Sequence, residues 1–449
     1  MIRCPSRLWL AGCALSCLVS AQLAIANDPV FGQIDSIVKS ISEITGLAEK
    51  HPVPYGRMSK RQLRQFLNKR IKKSLKPEEI YADELALKMF GFVPQNFDLR
   101  KSTIDLLTEQ AAAFYDYDEK KLFLMDGSSV VGDTVTLAHE LTHALADQHF
   151  HLNNFMDDTP ASDDENLAHS AVVEGEATWV MMAYNLKQAG QPLVPTPEML
   201  RSMFDSGQSS MTDFPVLRQA PLYIQQSLLF PYSYGTTFFD AVYRKLGKQA
   251  FTEVFTNPPV DSGQIIHPER YFAHEKPTVP DLPPLPAKAG EMITDGSVGE
   301  FDHQMLIREY VGEGEANSLA PHVRGGQFKI VTAGENHRPV LQYSSEWDSP
   351  ESAARFSAAY EKILCGKWKH CDVTSSGGGI LAGSGDNGLF ISRLKGTIFW
   401  SVEGLTGDPE WREMKRSWTA DLQAQVVPLK ISVSGTLALN SRRAGLTLH

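Results

Sequence analysis

Beyond its first residues the sequence lacks a long apolar run, has few cysteines and carries no excess of positive charge. No later segment approaches the roughly 20 apolar residues that cross a bilayer, so we expect no transmembrane span. The net charge of −10 argues against a nucleic-acid partner, because phosphate binding requires a basic surface. What remains is a globular chain of 449 residues, 42% hydrophobic and long enough for two domains with their own cores.

The first residues have the pattern of an export signal. Arg3 and Arg7 precede an apolar run that ends in the triplet AIA at 24–26, the small-x-small pattern that signal peptidases cleave. We therefore expect residues 1–26 to be a signal peptide and the mature protein to be exported, either periplasmic or secreted. A lipid anchor is the alternative, since the stretch LAGC ending at Cys13 resembles a lipoprotein box, but the apolar segment before it is very short.

Removal of the leader leaves Cys365 and Cys371 as the only cysteines of the mature chain. Two cysteines six positions apart in an exported protein favour a disulfide, and two unpaired thiols are the alternative. A zinc site is disfavoured there, because the spacing matches no zinc motif.

Apolar periodicity divides the first two thirds of the chain into a helical N-terminal region and a larger core. Residues 27–108 have apolar positions at helical spacing with proline breaks, which predicts helices. Residues 109–275 begin with an alternating segment, typical of a hairpin, that ends at Met125. Asp133 then stands where an N-cap is expected, before the helix that contains TLAHELTHALADQ. A second helix is predicted at 166–188.

The core region also contains a third predicted helix at 234–247. The last third of the chain has the pattern of a separate small domain, and the five prolines within 276–290 before it indicate a stiff extended linker. Residues 291–420 then have the order hairpin, helix, hairpin, and their glycine run SSGGGILAGSGDNG is expected to be a flexible connection. The tail 421–449 carries no readable signal. The predicted fold class is α+β: a mainly helical core with an edge hairpin, plus a small C-terminal α+β domain.

The stretch LAHELTHALADQHF, residues 137–150, contains the candidate metal ligands and the candidate catalytic base. On a helix His139 and His143 project from one face one turn apart, close enough to bind a single zinc ion. Zinc held by two histidines and a carboxylate keeps a position for water and requires a base, the role expected of Glu140. Histidines that merely satisfy the hydrogen bonds of an amphipathic helix are the alternative, and the leader, the preceding strand and the apolar flanks favour metal.

These residues resemble the zincin metallopeptidases, whose active-site helix carries H-E-x-x-H. The phrases QAAAFYDYDEKKLFLMD, LAHELTHALADQHF, AVVEGEAT, FPYSYG and HPERY are similar, in that order, to secreted bacterial proteins of the thermolysin-like, or gluzincin, branch. The resemblance implies a hydrolase of protein or peptide substrates that uses one zinc ion, a zinc-activated water and Glu140 as general base. It also implies that the strand before the helix receives an extended substrate by edge pairing.

Three residues compete for the place of the third ligand. His149 matches the last histidine of the metzincin pattern, but Ala146 stands where a glycine would end the helix sharply. Gluzincins use a glutamate of a second helix, and AVVEGEATW offers Glu174 and Glu176, which lie about 200° apart on a helix. We expect Glu174, because small residues share its face and it matches the E-G element; a solvated helix carboxylate is the alternative.

The other candidates support the ligands or the substrate. Asp147 is placed to accept a hydrogen bond from a ligand histidine, although a plain helix-surface role fits it equally well. The resemblance implies a tyrosine or histidine that stabilises the oxyanion, for which we select Tyr234 and His267, with Tyr232 and Tyr271 as the other candidates. Each of these aromatic residues has a core or turn role as its alternative.

The sequence therefore predicts an exported zinc metallopeptidase. A catalytically inactive zincin-like envelope protein that binds partners through its C-terminal domain is the alternative. The presence of Glu140 argues against it, because a purely structural zinc site needs no base and usually has four protein ligands.

Overall fold

A computed structural model describes residues 31–126, 130–157, 162–202, 214–285, 289–333, 337–405 and 412–418. Within them the chain is α+β, with a helical part followed by a separate seven-stranded sheet. None of the described helices is long and apolar enough to cross a membrane. The predicted signal peptide, Cys13 and the tail 421–449 lie outside the described residues.

The helical part carries the site on three long helices. We name them the histidine helix (Val130–Phe150), the glutamate helix (Asp163–Gln188) and the tyrosine helix (Leu222–Leu246). A small sheet contains β1 (Tyr55–Met58), β2 (Ala113–Asp116) and β3 (Lys121–Met125). The other helices of this part are Ile34–Thr45, Lys60–Ser74, Pro77–Phe90, Leu99–Gln110, Leu152–Asp157, Pro215–Gln219, Ala250–Thr256, Ser262–Ile266 and Pro268–Phe272.

The small sheet corrects two expectations. The region 27–108 is not wholly helical, because β1 pairs in parallel with β3, Tyr55 opposite Leu122. The strand order is β1-β3-β2, so β3, the strand directly before the histidine helix, is central and both of its edges are taken. The edge strands are β1 and β2, and β2 is the edge strand that contacts the histidine helix.

The three site helices differ at their starts from the expectation. The histidine helix begins at Val130, so the backbone of Asp133 lies inside it and not at the N-cap. The glutamate helix is capped by Ser162, whose side chain accepts a hydrogen bond from the N–H of Glu165 at 3.1 Å. The tyrosine helix starts well before the predicted Tyr234 and contains Pro231 in its interior.

The glutamate and tyrosine helices cross with their backbones in contact. A Cβ atom added at Gly175 would lie 2.2 Å from the carbonyl carbon of Gly235. A Cβ atom added at Gly235 would lie 2.2 Å from the carbonyl oxygen of Ala171. Only glycine fits at both positions, and this close crossing sets where the tyrosine helix stands relative to Glu174.

The sheet of the C-terminal part contains seven strands: β4 (Ala289–Ser297), β5 (Val323–Ala333), β6 (Arg338–Trp347), β7 (Cys371–Gly377), β8 (Ile380–Gly385), β9 (Gly388–Lys395) and β10 (Ile398–Leu405). These strands are antiparallel and lie in the order β4-β5-β6-β10-β9-β8-β7. The helices of this part are Glu300–Tyr310, Glu313–Leu319 and Pro350–Lys367. The glycine run is more regular than expected, since it includes the end of β7, all of β8 and the start of β9. Cys365 and Cys371 form the predicted disulfide.

The proline-rich segment lies on this sheet and is not a free spacer. The carbonyl oxygen of Pro280 accepts a hydrogen bond from Gln327 Nε2 at 2.6 Å, and that of Asp281 accepts one from Trp400 Nε1 at 2.8 Å. The two parts also share core residues: Phe90 packs edge-on against Phe328 with ring centroids 5.2 Å apart. The helix Glu300–Tyr310 is thereby held against the helical part, where it reaches the site.

Candidate metal centre

Two turns of the histidine helix and one residue of the glutamate helix bring three ligand atoms together. His139 Nε2 lies 3.1 Å from His143 Nε2 and 3.1 Å from Glu174 Oε2, and His143 Nε2 lies 3.5 Å from the same oxygen. Within the described part of the chain, they are the one group of three such residues whose ligand atoms all lie within 4.8 Å of one another. Tetrahedral zinc with bonds of about 2.0–2.1 Å separates its ligand atoms by about 3.3 Å, so this donor set fits one zinc ion.

Glu174 lies among groups that favour the ionised form of its carboxyl group. Burial alone would raise the pKa of its carboxyl group, but His143 and His139 more than offset this and hold the pKa well below its usual range. An anionic oxygen facing two imidazoles is the donor chemistry that zinc prefers.

Glu140 lies beside the ligands and is held by the edge strand. Its Oε2 accepts a hydrogen bond from the main-chain N–H of Tyr115 in β2 at 2.7 Å. Burial raises the pKa of Glu140 to about 7, the charge of Glu174 adds to the rise, and His139 and the Tyr115 N–H oppose it. A fixed carboxylate with such a pKa is suited to accept a proton near neutral pH.

Tyr232, and not Tyr234, stands next to the ligands. The ring of Tyr232 stacks over His139 with centroids 6.1 Å apart, and its hydroxyl donates a hydrogen bond to the carboxylate of Glu174. Tyr234 also borders the open space beside the ligands, but its ring stacks on Phe230 with ring centroids 5.0 Å apart. Two residues of one helix that are two positions apart point about 200° apart, so they do not share a target.

His267 and Tyr271 belong to a different part of the fold. His267 Nε2 pairs with Glu300 Oε1 at 2.8 Å, and Arg270 binds the other oxygen of that carboxylate at 2.6 Å. The Tyr271 hydroxyl donates to the carbonyl oxygen of Asn257 at 2.8 Å. The structure therefore does not bring the predicted His267 to the metal ligands.

The two competitors for the third ligand point elsewhere. The histidine helix continues past Ala146, and its His149 pairs with the carbonyl oxygen of Ala48 at 2.8 Å. Glu176 is 1% exposed, and its Oε1 has no hydrogen-bond partner among the residues that the structure describes. Burial raises the pKa of Glu176 far above its usual value, which is the opposite of what happens to Glu174.

Asp147 supports the edge strand rather than a ligand histidine. Its carboxylate accepts hydrogen bonds from Lys120 Nζ at 2.8 Å, from the Tyr115 hydroxyl at 3.0 Å and from the Leu152 N–H at 3.0 Å. Because the main-chain N–H of Tyr115 binds Glu140, Asp147 affects the site indirectly, by holding Tyr115 in place.

A cleft of about 1030 Å³ opens beside the three ligands. Its walls include β2, the histidine, glutamate and tyrosine helices, and two helices of the C-terminal part. The sequence did not indicate the wall formed by the C-terminal part, which contains Phe301, Met305 and Arg308. It also did not indicate Tyr117, whose ring packs edge-on against that of His143 with ring centroids 6.2 Å apart.

Comparison of the chain with protein-family models, with curated proteins and with solved structures finds no match.

Proposed function

We propose that this chain is an exported zinc-dependent peptidase. The observation that carries the proposal is the triangle of His139, His143 and Glu174, whose dimensions fit zinc, with the buried carboxylate of Glu140 beside it at an open cleft. A zinc ion held there would lower the pKa of a water molecule and polarise the carbonyl of the scissile peptide bond.

Two side chains perform the proton and charge chemistry in this proposal. Glu140 accepts the proton of the attacking water and passes it to the leaving amine, while the Tyr115 N–H fixes the orientation of its carboxylate. The hydroxyl of Tyr232, which donates to Glu174 in the absence of substrate, turns to donate that one proton in a hydrogen bond to the oxyanion that forms at the attacked carbonyl. The position of Tyr232 beside Glu174 supports that role. We therefore favour Tyr232 as the oxyanion donor in place of Tyr234 and His267.

The peptide backbone of the substrate pairs with β2. The Ala112 carbonyl oxygen accepts a hydrogen bond from the Met125 N–H, so Ala112 faces β3. Because main-chain groups alternate along an antiparallel strand, the N–H and carbonyl of Ala113 face the cleft. The edge pairing expected for a zincin-like protein is therefore assigned to β2, and the central strand β3 supports it from behind.

Metal analysis combined with digestion of a peptide library tests the proposal. Purified mature protein should contain one zinc ion per chain, should cleave peptides, and should lose and regain this activity when zinc is removed and returned. Hydrolysis that survives complete removal of the metal would contradict the proposal. Stoichiometric zinc without any hydrolysis would instead favour the alternative of an inactive envelope protein that binds a partner.

A further inference from the structure

A second, smaller cavity of about 180 Å³ leads away from the metal ligands. Glu174 and Tyr232 border both this cavity and the larger cleft, so the two spaces adjoin at the site. Most of its wall is apolar, but it also contains four aspartates. The apolar residues include Leu87, Phe90, Leu167, Val173, Leu228 and Val298, and the aspartates are Asp83, Asp163, Asp164 and Asp302.

The cavity runs along one face of the glutamate helix. Glu174, Ser170, Leu167 and Asp163 all line it and follow one another at helical intervals of four, three and four residues. Eleven residues of helix rise about 16 Å, so the cavity extends from the metal ligand to the N-terminal end of the helix. The aspartates lie toward that far end, because Asp83 is close enough to Asp163 to be affected by its charge.

Asp83 has no cationic partner within the described chain. It is 3% exposed, and none of the described residues donates a hydrogen bond to its carboxylate. Burial, Asp163 and Glu79 together raise its pKa to about 9. Asp164 Oδ1 is also buried without a hydrogen-bond partner in the described structure. Buried carboxylate oxygens in this situation are satisfied when a donor enters from outside.

We propose that this cavity, the acidic side pocket, binds the side chain of a lysine or arginine residue of the peptide substrate. The inference rests on the proposed peptidase function and adds a preference for basic substrates. The apolar wall suits the methylene stem of such a side chain, and the aspartates suit its ammonium or guanidinium group, whose positive charge lowers the pKa of Asp83 and ionises this carboxyl group on binding.

A metal ion is a poorer match to the same aspartates. Calcium takes six to eight oxygen ligands at about 2.3–2.6 Å, which requires the carboxylates to converge on one point. Within the residues that the structure describes, only the His139, His143 and Glu174 group brings three ligand atoms within 4.8 Å of one another. Carboxylates spread around an apolar space instead match an extended organic cation.

Matched peptides that differ at one position test the pocket. Each pair carries either arginine or its neutral isostere citrulline, and the position is scanned along the peptide on both sides of the cleaved bond. Wild-type protein should prefer arginine at one position. Asp83→Asn should lower kcat/KM for that arginine peptide about tenfold to a hundredfold and leave the citrulline peptide nearly unchanged. Glu78→Gln, which removes one charge from an exposed site of the same helix, should keep the preference.

Binding to the Glu140→Gln protein separates this inference from the proposed function. Calorimetry with the same two peptides requires no hydrolysis, and we expect the arginine peptide to bind at least tenfold more tightly, an advantage that Asp83→Asn removes. Equal binding of the two peptides would contradict the proposal that the pocket binds a basic side chain, even if the wild-type protein is a peptidase. Absence of hydrolysis in the wild-type protein with retained preference for arginine would overturn the peptidase and keep the pocket.

Discussion

At the scale of single residues, Glu174 and Glu176 have opposite surroundings although only one residue separates them. Glu174 faces two imidazoles, which lower the pKa of its carboxyl group, whereas burial alone raises that of Glu176. The sequence favours Glu174 because small residues share its face and because it matches the E-G element. The partners of each carboxylate depend on neighbouring helices and required the structure.

Single substitutions separate the three candidates for the third ligand. Glu174→Gln should lose most of the zinc and all activity, because an amide is a weak zinc ligand and the site loses its negative charge. His149→Gln and Glu176→Gln should both retain zinc, since neither side chain reaches the site. Metal content of the purified variants measures this. Stoichiometric zinc in Glu174→Gln together with its loss in His149→Gln would assign the third ligand to the histidine helix.

Tyr232→Phe should lower kcat by about 10²–10³ with zinc content unchanged, because it removes the hydroxyl that we assign to the oxyanion. The effect should fall on kcat more than on KM, since the hydrogen bond strengthens in the transition state. Tyr234→Phe is the matched change two residues away and should act weakly, because its ring stacks on Phe230. Steady-state kinetics of the two variants decide it; an equal loss in both would remove Tyr232 from the mechanism.

Asp83→Asn should make stability less dependent on pH. The folded-state pKa of about 9 lies above the ordinary 3.8, so the contribution of Asp83 to stability is complete below about pH 4 and falls as the pH rises toward 9. Relative to wild type, the variant should therefore gain up to about 1.4 kcal/mol per pH unit within this window. Urea unfolding at pH 5 and pH 8 measures the gain, and a difference that stays constant with pH would contradict it.

At the scale of elements, the contact between the glutamate and tyrosine helices positions the site. Gly175→Ala places a methyl group where the backbone of Gly235 already lies, so the helices must separate. We expect a loss of about 1–3 kcal/mol in the free energy of unfolding, and lower activity because Tyr232 moves away from Glu174. Gly32→Ala is the control, since a methyl group there meets open space. Wild-type stability in Gly175→Ala would mean that the crossing is looser than described.

Elements with strong local signals were predictable. The histidine and glutamate helices have long apolar periods, and both occur where expected, although the first begins at Val130 and the second at Asp163. The strand β1 has only four residues and no alternating signal of its own, so its pairing with β3 could not be inferred. The first half of the tyrosine helix could not be predicted, because it contains Pro231 and proline normally ends a helix. The predicted helix therefore starts at Tyr234 and leaves out Tyr232, which lies on the observed helix.

At the scale of the whole molecule, the C-terminal part belongs to the site as a wall. Phe301 and Met305 border the cleft from a helix that follows the proline-rich segment, and Phe301 packs on Phe230 with centroids 4.9 Å apart. Contacts between residues so far apart in the chain leave no trace in composition or periodicity. The sequence correctly predicted an α+β domain there but could not show that it faces the metal ligands.

In the proposed function the histidine helix carries a hydrolytic base, Glu140, as well as two metal ligands. Zinc content and peptide hydrolysis, measured in the same preparation of Glu140→Gln protein beside wild type, decide whether it does. We expect one zinc ion per chain in both proteins, and hydrolysis slowed by about 10²–10⁴ in the variant, because Glu140 moves protons and does not bind the metal. Hydrolysis at the wild-type rate in zinc-loaded Glu140→Gln would contradict it.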